Sequence, residues 1–137
     1  MLKILVVDDS LIMRKNLTKL LTSLGHEVVY AAKNGVEAIE AYKAKQPDLV
    51  TMDITMPDMD GIDAVKAILA EDREAKIIMV TSHAEEHMLI TSMFIGARGY
   101  IIKPFKKHEV CERIATVFPD YPCDDLDDEM ELSEEDL

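Results

Sequence analysis

Basic residues are missing from the last twenty positions of this 137-residue chain, where ten acids stand unopposed. The rest of the chain holds 17 acids against 15 Lys and Arg, so the net charge of −12 is concentrated at one end. A body so close to neutrality and an acidic end exclude nucleic acid as a partner, because that binding rests on neutralising phosphates. Cysteine is scarce: Cys111 and Cys123 stand in no metal or redox spacing and read as free thiols of a reducing compartment. No apolar run approaches the roughly 20 residues that a membrane-spanning helix needs, which excludes insertion by that route. The apolar start, Met1 to Val7, is too short for a signal peptide and runs into acids, so the expectation is a cytoplasmic protein. Internal repeats are absent, and the length suits a single domain.

Short apolar runs alternate with helical patterns. Leu2 to Val7 predicts a buried strand. Met13, Leu17, Leu20, Leu21 and Leu24 then fall on one helix face, and Gly25 stops that helix. Glu27 to Ala32 predicts a second strand, and Asn34 caps a helix running to about Lys45. Asp48 to Met52 is the third strand, followed by a turn-rich loop, Asp53 to Gly61, and a helix with Ile62, Val65, Ile68 and Leu69 inward. Lys76 to Val80, a helix over Ala84 to Ile95, Gly99 to Ile102 and a helix over Lys107 to Phe118 complete five strand–helix units. Apolar strands alternating with helices imply a parallel sheet covered on both faces, a doubly wound α/β sandwich. The domain is expected over residues 1–118, with residues 119–137 as an acidic tail.

Open parallel sheets bind ligands beyond the carboxyl ends of their strands. Standing there are Asp8, Asp9 and Ser10 after the first strand, Asp53 after the third, Thr81 and Ser82 after the fourth, and Lys103-Pro104 after the fifth. Singly, each suits a helix cap, a turn or a strand exit. Together, three carboxylates repel and call for a cation. Hard oxygen ligands without cysteine point to Mg²⁺. A carboxylate is also a nucleophile toward phosphorus, and phosphoryl transfer needs positioning and charge neutralisation above all. The set makes chemical sense if Asp53 takes up a phosphoryl group, Asp8 and Asp9 hold the metal, and Thr81 and Lys103 bind the phosphoryl oxygens.

A competing signal is His83-Ala84-Glu85-Glu86-His87, an H-x-x-E-H string of the kind that holds zinc in one peptidase class. It would require one helix from residue 83 and a third ligand, which neither His26 nor His108 is placed by any motif to supply. The alternative is a solvated first helical turn of Glu85, Glu86 and His87, with acids suited to a helix N-terminus.

The segments Ile4-Leu5-Val6-Val7-Asp8-Asp9-Ser10, Asp53-Ile54-Thr55-Met56-Pro57-Asp58-Met59-Asp60-Gly61, Val80-Thr81-Ser82 and Gly99-Tyr100-Ile101-Ile102-Lys103-Pro104-Phe105 resemble the receiver domain of two-component response regulators. The resemblance runs from about Leu2 to Phe118. It implies a flavodoxin-like fold with strand order 2-1-3-4-5 and five helices. It also implies transfer of a phosphoryl group from a histidine kinase or histidine phosphotransfer protein to Asp53, with Mg²⁺ held by Asp8, Asp9, Asp53 and the Thr55 carbonyl. Lys103 would contact the phosphoryl group and precede a cis Pro104. Thr81 and Tyr100 would form the switch that remodels the face of the fourth helix, fifth strand and fifth helix. Thr55 and His83, each two residues past a key position, would tune how long the phosphoryl group lasts. The chain would not be an enzyme beyond catalysing its own phosphorylation and slow dephosphorylation.

Within that family the start Asp9-Ser10-Leu11-Ile12-Met13-Arg14 is similar to the chemotaxis type that binds the flagellar motor switch. A phosphorelay intermediate and the receiver of a longer regulator are the alternatives. A haloacid-dehalogenase-type phosphatase, which also uses Asp and Mg²⁺, would show D-x-D after the first strand, where this chain has Asp8-Asp9-Ser10. Two further features carry expectations. Met88, Leu89, Ile90, Met93, Phe94 and Ile95 surround the fourth helix with no charge from Met88 to Ala97. Such a helix either faces a partner or a second copy, or is buried deeper than usual. The acidic tail reads as a solubilising end or, through Leu126, Met130, Leu132 and Leu137 and the Ser133…Asp136 spacing, as a short docking helix.

Overall fold

The computed structural model describes residues 1–123 and 131–132. Five parallel strands, β1 (Lys3–Val7), β2 (Glu27–Ala32), β3 (Leu49–Asp53), β4 (Ile77–Thr81) and β5 (Gly99–Ile102), form one sheet in the order β2-β1-β3-β4-β5. Helices α1 (Leu11–Ser23), α2 (Gly35–Lys45), α3 (Gly61–Glu71), α4 (Glu86–Ile95) and α5 (Lys107–Val117) cover both faces. The expected fold class and strand order are thus observed. A short pair, β6 (Phe105–Lys106) antiparallel to β7 (Glu131–Leu132), was not signalled by any periodicity. Of the tail helix envisaged through Leu126, Met130, Leu132 and Leu137 and the Ser133…Asp136 spacing, only Leu132 is described, and it lies in β7 rather than in a helix; the rest falls outside the described residues.

The strands work because their side chains alternate between two apolar layers. Ile4 and Val6 point toward Met13, Leu17, Leu20 and Leu21 of α1 and Val110 and Ile114 of α5. Leu5 and Val7 point the other way, toward Ala38, Ala41 and Tyr42 of α2 and Ala64, Val65 and Ile68 of α3. Each large aliphatic side chain so buried stabilises the fold by about 1.5–3 kcal/mol. Helix entries are fixed by side chains. Ser10 Oγ accepts from Met13 N at 3.2 Å, Asn34 Oδ1 from Glu37 N at 2.9 Å and Asp60 Oδ1 from Asp63 N at 2.9 Å. Gly25, at φ +91°, turns the chain out of α1 in the left-handed region that favours glycine.

Register places the strand ends level. Val7 pairs with Met52, Asp53 with Val80, and Thr81 with Ile102. Asp8, Asp53, Thr81 and Lys103 therefore leave the sheet on one edge. One expected helix divides: His83–Glu85 form a 3-10 turn, and α4 starts only at Glu86. That break removes the single helix on which an H-x-x-E-H zinc site depends.

Candidate functional site

Asp8 and Asp53 are buried at the sheet edge and Asp9 stands exposed beside them. One carboxylate oxygen from each lies within 4.8 Å of the others. β1 and β3 are central neighbours in the sheet, which is why residues 45 positions apart in sequence share this corner. Asp8 is held in place. Its Oδ1 accepts from Ser10 N at 2.9 Å, and its carbonyl accepts from the Arg14 guanidinium at 2.8 Å.

Lys103 reaches in from the end of β5. Its Nζ lies 3.1 Å from Asp8 Oδ2 and 3.5 Å from Asp53 Oδ1. The Lys103-Pro104 peptide is cis, as expected. The Lys103 amide donates to the Thr81 carbonyl at 2.7 Å, which ties the lysine to the end of β4.

One ammonium does not offset the three carboxylates. Burial, followed by the charge of Asp8, pushes the Asp53 carboxyl up to about 8, against the lowering pull of Lys103. Asp8 is also raised, by burial above all. Buried hard-oxygen donors that resist ionising together are the condition a small divalent cation relieves, so the donor set fits Mg²⁺. Backbone carbonyls and water complete such sites, which is the role the resemblance implies for the Thr55 carbonyl.

Thr81 is fully buried, and its hydroxyl donates to either the Ser82 carbonyl at 3.3 Å or Glu85 Oε1 at 3.2 Å. Glu85 corrects an expectation. Its carboxylate is half-buried and hydrogen-bonded back to the site, while Glu86 and His87 stand exposed as expected. It accepts from the Ser82 amide at 3.2 Å, the Ser82 hydroxyl at 3.0 Å and the Thr55 hydroxyl. Partial burial pushes its pKa up, but the bonds from Thr55, Ser82 and Thr81 outweigh that and hold it below its ordinary value. The Thr/Ser-rich loop ends carried the signal in the sequence, yet only the 3-10 turn aims the carboxylate back at them. The expected tuning role of His83 rests on a side chain outside the described part of the structure.

Tyr100 stands at 37% exposure, with the Arg113 guanidinium 5.1 Å from its ring centre. It borders a surface groove of about 340 Å³ lined by Glu86, Leu89, Ile90, Met93 and Ile102. Ile90 is 71% and Phe94 93% exposed, so α4 is not a deeply buried helix: part of its apolar surface faces outward.

Fold and site define a class: a doubly wound α/β protein with an acidic, lysine-bridged corner suited to a divalent cation. The model of the response regulator receiver domain matches residues 4–115, and the chain belongs to that family. It is similar to the chemotaxis protein CheY of Treponema pallidum, 46% identical over 117 residues, covering 84% of this chain and 81% of that protein. CheY of Bacillus subtilis is 47% identical over 112 residues, covering 82% and 93%. Among solved structures, the CheX-CheY-BeF3-Mg complex of Borrelia burgdorferi matches with a TM-score of 0.81 at 37% identity, over 85% of this chain and 88% of that one. No helix among the described residues is long and apolar enough to cross a membrane.

Proposed function

We propose that this chain is a phosphorylation-switched receiver that accepts a phosphoryl group on Asp53 from a histidine kinase or histidine phosphotransfer protein and signals by protein contact, in chemotaxis and at the flagellar motor switch. The observation that carries it is the Lys103 ammonium bridging Asp8 and Asp53 beside the buried Thr81 hydroxyl. The similarity to chemotaxis receivers over most of their length supports the target class.

Each group has a task. An Asp53 carboxylate oxygen attacks the donor phosphorus; the oxygen–phosphorus bond forms as the donor's phosphorus–nitrogen bond breaks. The electron pair of that bond goes to the imidazole nitrogen, which takes up a proton. Lys103 and the Thr81 hydroxyl bind the phosphoryl oxygens, supplying charge and a donor where negative charge builds. Asp8, Asp9, Asp53 and the Thr55 carbonyl would hold Mg²⁺, which neutralises the phosphoryl charge when bound. Thr55 and His83, flanking the acceptor, would set how fast water removes the phosphoryl group. Thr81 and Tyr100 would relay the event to the groove along α4, a local charge change biasing a two-state surface. The same face would seat a second copy if the receiver pairs. The chain turns over no external substrate on this reading, and works in the cytoplasm.

Incubation with a small phosphodonor and Mg²⁺ tests the reading. The expected product is one stoichiometric, hydroxylamine-labile adduct per chain, abolished by Asp53→Asn. Sustained release of phosphate from many esters would overturn it in favour of a hydrolase. A pull-down with beryllofluoride tests the target. Capture of a motor-switch protein supports the chemotaxis role, and capture of a histidine phosphotransfer protein would replace it with a phosphorelay role.

A further inference from the structure

The Glu85 carboxylate bridges two loops of the site. Oε1 takes hydrogen bonds from the hydroxyl of Thr81 at 3.2 Å and from the amide and hydroxyl of Ser82 at 3.2 and 3.0 Å. Oε2 takes the hydroxyl of Thr55, two residues beyond Asp53. The Glu85 amide meanwhile closes the 3-10 turn onto the Ser82 carbonyl at 3.0 Å. A negatively charged, multiply bonded acceptor thus sits on the same hydroxyl that a phosphoryl group on Asp53 would require.

A hydroxyl has one proton to donate. Thr81 is fully buried, and the other acceptor in reach of its hydroxyl is the neutral Ser82 carbonyl at 3.3 Å, a weaker partner than a carboxylate. The Thr81 hydroxyl can serve the Glu85 carboxylate or a phosphoryl oxygen, and not both. Occupation of one position therefore opposes occupation of the other.

We propose that Glu85 is a positioning residue that latches the unphosphorylated state: its carboxylate holds the Thr81 and Thr55 hydroxyls and competes with the phosphoryl oxygens for that of Thr81. Phosphorylation expels Glu85 and frees the turn His83–Glu85. That turn runs directly into α4, the helix that carries the exposed apolar groove. Release of the latch is thus coupled by chain continuity to the output surface. This inference rests on the receiver reading, since the competitor it invokes is a phosphoryl group on Asp53.

The test is a double-mutant cycle on Glu85 and Thr81, read by binding of beryllofluoride with Mg²⁺, a non-covalent phosphoryl mimic. Glu85→Ala should tighten binding by about tenfold, the scale of one charge-assisted hydrogen bond released. With Thr81→Ala present, the same Glu85 change should alter affinity by less than about twofold, because the contested hydroxyl is gone. A merely structural role for Glu85 would not make its effect depend on Thr81. Glu85→Gln, which keeps an acceptor and loses the charge, should fall between, and it serves if the alanine variant folds poorly. Denaturation midpoints of the same four proteins without metal or mimic should show favourable coupling between Glu85 and Thr81. Unchanged affinity in Glu85→Ala and Glu85→Gln, or a gain that persists undiminished with Thr81→Ala, would overturn the latch and leave the receiver reading standing. Failure of the unmodified chain to bind the mimic would overturn both.

Discussion

Gly61 lies so close to Asp53 that a Cβ added to it would stand 2.1 Å from the Asp53 carbonyl oxygen. The Gly61 amide also donates to the Ile54 carbonyl at 2.6 Å, which folds the loop after β3 back beneath the site. The obstruction is backbone, so no rotamer change relieves it. Gly61→Ala should destabilise the fold by roughly 2–3 kcal/mol through overpacking, and should weaken Mg²⁺ binding because Asp53 must shift. Urea denaturation and Mg²⁺ titration check this; a variant with unaltered midpoint and affinity would show that the loop yields freely.

Lys103 already neutralises Asp8 and Asp53, the carboxylates that would hold a divalent cation. Lys103→Met should therefore tighten Mg²⁺ binding by roughly tenfold, since a positive neighbour is removed. It should at the same time slow phosphorylation by a small phosphodonor, because the charge proposed to meet the phosphoryl oxygens is lost. The opposite signs of the two effects are the diagnostic. Parallel losses would mean that Lys103 only supports the fold.

The pH dependence follows from Asp53, whose carboxyl is raised by burial and by Asp8 from an ordinary 3.8 to about 8. A raised acid favours the folded state while protonated, and that contribution fades as pH rises through the folded value. The metal-free protein should lose stability across the window from 3.8 to about 8. Metal must displace the proton, so Mg²⁺ affinity should fall by about tenfold per pH unit on going below that folded value. Asp53→Asn should flatten both profiles. Calorimetric Mg²⁺ titration at several pH values decides; a flat profile in the unmodified chain would sink the assignment.

His26 offers an independent check away from the metal corner. Its Nδ1 accepts the Leu2 amide at 3.1 Å, and burial, then the N-terminal charge, lowers its pKa from 6.5. A lowered histidine stabilises the fold above its unfolded value, and the contribution is lost as pH falls through the folded one. Destabilisation should therefore begin below 6.5 and be smaller in His26→Asn, which keeps an acceptor without the charge. Midpoints at about pH 7.5 and about pH 5 bracket the ordinary histidine range and measure the difference.

Phe94 is 93% exposed, so Phe94→Ala should change stability by no more than about 0.5 kcal/mol. If the α4 surface is the output face, the same substitution should abolish beryllofluoride-dependent capture of the target while leaving the adduct on Asp53 intact. Retained capture would move the output surface elsewhere.

The amino-acid sequence by itself determined the architecture and the chemistry of the corner. Period-two and period-3.6 apolar patterns are local properties of the chain, and the rule that sites lie beyond parallel strand ends brought Asp8, Asp9, Asp53, Thr81 and Lys103 together. The apolar girth of α4 was equally legible, although two readings of it stayed open until Ile90 and Phe94 were seen to be exposed. Distances between sequence-remote atoms were not legible. The 3.1 Å approach of Lys103 to Asp8, the burial that lifts Asp53, and the contact of Gly61 with the Asp53 backbone all arise from packing. Glu85 shows the difference most sharply. Its neighbours made it look like an exposed residue at a helix start, because acids there are favoured by the helix dipole. A 3-10 turn in place of the first α-turn swings the carboxylate onto Thr55 and Thr81, one from a separate loop. Periodicity records which face of an element is apolar, but the aim of a polar side chain at an element's end depends on what the rest of the fold sets opposite it.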